Sequence, residues 1–76
     1  MKIYVAVSTP VSLGEVMADD VMTRQGSDAV AADVNARLAV LRTLYDAAQY
    51  EQLTGAFSRR LLAADPSGNY ITKIKF

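Results

Sequence analysis

Cysteine, histidine and tryptophan are absent from the 76 residues, proline occurs twice and glycine four times. Without cysteine there is no disulfide framework, no thiolate nucleophile and no cysteine-based zinc site. Without histidine the chain lacks the commonest general base and the commonest metal ligand. The opening MKIYVAVST carries one lysine in a short mixed run, too brief and too polar for a signal peptide or a membrane span. Eight basic side chains balance eight acidic ones, which argues against a protein that coats nucleic acid through bulk positive charge.

What is present fits a globular chain. Hydrophobic residues make up 51% and charged residues 21% of the sequence, so a core is affordable and disorder is not expected. The length predicts a single domain over residues 1–76, cytoplasmic or indifferent to redox state, with no cofactor, no metal and no membrane contact. A core this small gains from association, so a homodimer is among the expectations.

Periodicity divides the chain. Lys2 to Ser8 alternates, with Ile3, Val5 and Val7 on one face, and predicts a strand that Pro10 stops. Ser12 and Glu15 have the spacing of a capping box, with Val11 and Val16 placed for a hydrophobic staple. A first helix is predicted from Leu13 to about Gln25, with Leu13, Val16, Met17 and Val21 inward. Gly26 suits its end, and Ser27 the cap of the next helix. In that second helix Val30, Val34, Leu38, Leu41, Tyr45 and Ala48 form a stripe that Leu44 widens, opposite a small-residue face of Ala32, Ala36, Ala39, Thr43 and Ala47. The phase then changes. Tyr50, Leu53, Phe57, Leu61 and Ala64 predict a separate third helix from about Tyr50 to Ala64. A turn at Asp65–Asn69 follows, and the alternation of Tyr70, Thr72, Ile74 and Phe76 predicts a terminal strand. The expected class is α+β, in the order β-α-α-α-β, with the two terminal strands paired in a small sheet against the helices.

Three places could carry function. The loop from Ser8 to Ser12 precedes a helix, but it lacks the glycines and lysine of a phosphate loop and reads as a capped helix start. Glu15, Asp19 and Asp20 form an acidic helix surface, suited to docking on a basic partner. Tyr4, opposite the apolar face of the first strand, adds an interface anchor. Residues 59–76 carry Arg59, Arg60, Lys73 and Lys75 against Asp65 alone, a local charge of +3 set against −3 for residues 1–58. Those cations, with Tyr70 or Phe76 to stack on bases, constitute the nucleic-acid alternative.

No catalytic motif is present. The sequence therefore predicts a non-catalytic protein-binding module, with Glu15, Asp19, Asp20 and Tyr4 as its contact residues. Its size and form suit a small inhibitor or adaptor of the kind phages and mobile elements encode, covering a functional surface of a larger complex. A nucleic-acid binder and a structural subunit of a homo-oligomer are the alternatives.

Overall fold

The computed structural model describes residues 9–76. Three helices follow one another: α1 (Pro10–Thr23), α2 (Asp28–Leu44) and α3 (Ala47–Ala64), with a 3-10 turn at Ile71–Lys73. Among the described residues there is no strand, so the α+β expectation is corrected to an all-helical domain. The predicted strand over residues 2–8 lies outside the described residues, as does Tyr4.

Named contacts fix the directions. Gly14 lies against Leu53 and Phe57, and Asp19 meets Arg60 further along, so α1 and α3 run parallel. Asp20 approaches Arg37 while Arg24 meets Asp33, so α2 is antiparallel to α1. The bundle is up-down-up. Its core is Met17, Ala18 and Val21 from α1, Val30, Val34 and Leu38 from α2, and Leu53, Phe57 and Leu61 from α3. Tyr70 and Ile74 close it from the tail.

Among the described residues the α1–α3 contact is the most extensive between helices. A β-carbon at Gly14 would overlap the Leu53 carbonyl oxygen and sit 3.2 Å from the Ala56 methyl. Small residues at this crossing therefore decide the inward face. Of the predicted stripe, Met17 and Val21 are buried, but Gly14 and Ala18 join them in place of Leu13, which is half-buried, and Val16, which is exposed. Hydrophobicity favours valine for the interior, but close backbone approach favours glycine and alanine. On α2 the stripe is seen at Val30, Val34 and Leu38, whereas Leu44 is exposed and does not widen it. The small-residue face at Ala32, Ala36, Ala39, Thr43 and Ala47 is exposed and receives no helix.

Helix ends differ from expectation for identifiable reasons. α1 begins at Pro10, where the missing N–H costs nothing and φ is preset, and the Thr9 carbonyl accepts from Leu13 N–H at 3.1 Å. Ser12 and Glu15 therefore lie inside the helix and form no capping box, and Val11 and Val16 are both exposed rather than stapled. Ser27 does cap α2, accepting from Val30 N–H at 3.3 Å. The α2–α3 break falls at Tyr45–Asp46, earlier than the predicted start at Tyr50. The Asp46 carboxylate accepts from Gln49 N–H at 2.8 Å while the Gln49 side-chain Oε1 accepts from Asp46 N–H at 3.3 Å. That D-x-x-Q capping box sets the break.

The tail is a strap instead of a strand. Lys73 N–H donates to Tyr70 C=O at 2.9 Å and Ile74 N–H to Ile71 C=O at 3.1 Å, closing a 3-10 turn. Tyr70 and Ile74, four apart, are buried while Thr72 between them is exposed, which breaks the period of two.

Candidate functional site

Two flanks of α2 carry most of the polar structure. Asp33, Arg37, Val40 and Leu44 recur at spacings of four, three and four, forming one stripe on the side of α1. Antiparallel to it on α1 run Arg24, Asp20, Val16 and Leu13. Near the α1–α2 turn this two-helix face is charged. Arg24 lies 2.7 Å from Asp33 and 3.2 Å from Asp20, and Arg37 lies 3.3 Å from Asp33 and 4.0 Å from Asp20. The hydrogen bond from Arg24 holds the Asp33 carboxyl below the usual carboxylate range, and Asp33 in turn raises the guanidinium of Arg24. Toward the far end the same face turns apolar. Val16 is 61% exposed, Val40 57% and Leu44 70%, and Leu13, last on the α1 stripe, is half-buried.

The predicted acidic surface is resolved into ion pairs. Arg60 of α3 reaches Asp19 at 3.3 Å and Glu15 at 3.7 Å, while Asp20 turns to Arg24 and Arg37. Glu15 and Asp19 face α3, whereas Asp20 faces α2, so the three carboxylates serve two different helix contacts.

The predicted basic residues are also dispersed. Arg60 is engaged on α1, and the Lys73 ammonium lies 2.6 Å from Asp28. Hydrogen bonding to Asp28 raises the Lys73 pKa, and Lys73 lowers that of Asp28. Arg59 and Lys75 are exposed and form no ion pair among the described residues. Tyr70 is buried rather than presented for stacking; its hydroxyl is enclosed without a hydrogen-bond partner, and burial raises its pKa.

The second flank of α2 was missed in the sequence. Asp28, Asn35 and Arg42 recur every seven residues and hold the tail. The Asn35 amide donates to Lys73 C=O at 3.0 Å and its carbonyl oxygen accepts from Lys75 N–H at 2.7 Å. Arg42 donates to Lys75 C=O at 3.0 Å and Phe76 C=O at 3.2 Å, and its guanidinium lies 5.4 Å from the Tyr50 ring centroid. Phe76 meets Phe57 edge-on at 5.8 Å. The signal was present as a heptad of polar residues beside the apolar stripe, but it acquires meaning only once the tail lies along α2.

Cavities open at both ends of the tail. One of about 500 Å³ lies between the end of α1 and the turn before Tyr70, lined by Val21, Met22, Gln25, Leu61, Asp65 and Tyr70. The other, about 450 Å³, lies beyond Phe76 at the α2–α3 junction. The described residues contain no group of three or more acidic side chains placed to hold a metal, and no helix long and apolar enough to cross a membrane. No family model, curated protein or solved structure matches the chain.

Proposed function

We infer that the chain is a non-catalytic protein-binding module that docks through the apolar half of the α1–α2 face. The observation that carries this reading is the exposure of Val40 and Leu44, one turn apart on α2, with Val16 exposed on the antiparallel α1 stripe and the paired charges of Asp20, Arg24, Asp33 and Arg37 at one end. Isolated exposed aliphatic residues are ordinary, but adjoining ones rimmed by polar groups mark interaction surfaces. A complementary partner presents an apolar groove to the two helices. Covering a surface in this way is the action of an inhibitor or adaptor, and it draws on no nucleophile or general base. The contact residues therefore move from Glu15 and Asp19, which are tied to Arg60, to Val16, Val40 and Leu44.

The test compares tagged wild type with Val40→Glu/Leu44→Glu in nuclease-treated host extract, with bound proteins quantified by mass spectrometry. A stoichiometric protein retained by wild type and lost by the double variant, with unchanged thermal stability, supports the reading. Equal retention by both proteins contradicts it, as does recovery that nuclease abolishes.

A further inference from the structure

The strap of residues 73–76 is held in the manner of a bound peptide. Its polar contacts with α2 come chiefly from two side chains: Asn35 brackets Lys73 and Lys75 as a neighbouring strand would, and Arg42 takes the next two carbonyls. These bonds reach backbone atoms and are indifferent to the side chains of the segment they hold. Selectivity comes from alternate positions: Ile74 is buried in the core, and Phe76, two residues on, packs its edge on Phe57. Backbone hydrogen bonds combined with pockets for alternate side chains are how grooves recognise extended peptides. The spacing also fits, because seven residues of helix rise about 10.5 Å, close to the reach of three extended residues.

A cavity adjoins the segment at Phe76. Phe76 is 42% exposed and lines the cavity of about 450 Å³ together with Arg42, Tyr50, Glu51 and Thr54. The Lys73–Asp28 pair that anchors the near end is open to solvent on both sides, and exposed pairs hold weakly.

We propose that this α2–α3 groove is a second binding site, which accepts an extended peptide segment of a partner protein in exchange for the chain's own residues 73–76. The segment it fits carries an aliphatic residue and, two positions later, an aromatic one, with further residues filling the cavity. This site is separate from the Val16–Val40–Leu44 face, so either can fail without the other.

The probe is a fluorescein-labelled peptide with the sequence of residues 69–76, titrated into full-length protein and followed by anisotropy. In wild type the tethered strap competes. Lys73→Glu/Phe76→Ala loosens the strap, and is expected to bind the peptide at least ten-fold more tightly than wild type. Adding Asn35→Ala to that variant is expected to remove at least ten-fold of the gain, with helix content by circular dichroism unchanged. Phe76→Ala alone, which deletes a half-exposed ring, is the milder opening should the double variant lose helicity. Folded loosened variants that bind the peptide no better than wild type overturn the proposal. So does binding that is insensitive to Asn35→Ala.

Discussion

The α1–α3 seam and the outer parts of α2 are built on opposite principles. At the seam, Gly14, Ala18 and Ala56 bring two backbones together, and Met17, Leu53 and Phe57 are sealed around the contact. Along the flanks and final turns of α2, polar side chains span the gaps: Arg37 and Asp33 toward α1, Asn35 and Arg42 toward the tail. Val40 and Leu44, at the end of the same helix, are left in solvent. Close packing makes the first region costly to alter, while bonds open to solvent make the second easier to open. Stability resides chiefly in one region and availability for binding in the other.

The comparison breaks most severely at Gly14. Gly14→Leu is expected to abolish the cooperative thermal transition, because the obstructing atom is the Leu53 backbone carbonyl and cannot turn aside. Gly14→Ala should cost about 1–3 kcal/mol as overpacking, although alanine suits a helix better. Phe57→Ala, which opens a cavity at a fully buried ring, is expected to cost about 3–5 kcal/mol by chemical denaturation. On the α2 side, Asn35→Ala should cost only about 0.5–1.5 kcal/mol, since water can replace the bonds it makes to exposed backbone. Val40→Glu/Leu44→Glu should change stability by less than about 0.5 kcal/mol per site while removing partner binding.

The smallest expected effect is that of pH. Asp28, Asp33 and Asp65 are held below the ordinary carboxylate range by hydrogen bonds from Lys73, Arg24 and the Ser67 hydroxyl respectively. Their contribution is present above the unfolded value of about 4 and is lost as pH falls through the lower folded values. Tyr70, raised by burial, and Lys73, raised by Asp28, contribute below about pH 10 and lose that contribution as pH rises through their folded values. With no histidine, the melting temperature should be flat between about pH 5 and 9. A slope within that window would show a coupling absent from this arrangement.

Helix existence was legible where apolar spacing was regular, as at Val30, Val34 and Leu38 or Leu53, Phe57 and Leu61. The α1–α2 turn was legible too, because Gly26 adopts φ +55° and Ser27 supplies a cap. What misled was local chemistry with two meanings. Pro10, read only as the end of the preceding segment, is the first residue of α1, three positions before the predicted start at Leu13. Tyr70, Thr72, Ile74 and Phe76 alternate in type, yet the backbone groups around them find Asn35 and Arg42 instead of a strand partner. The exposed face was hidden for a further reason: Val16 and Leu44 were assigned to the core by their hydrophobicity. Only the steric demand at Gly14 and the capping box at Asp46 show that they lie outside it. The charge asymmetry was real in sequence but not in space, because Arg60 and Lys73 fold back onto Glu15, Asp19 and Asp28.

Native-state hydrogen exchange tests the division between the two regions most directly. The amides of Met17, Val21, Leu53 and Phe57 are expected to exchange only through global unfolding. Those of Leu44 and Lys75 should exchange through a smaller opening of lower free energy. Protection of Leu44 and Lys75 equal to that of Phe57 would contradict it, showing that the outer turns of α2 and the strap belong to the same cooperative unit as the α1–α3 seam.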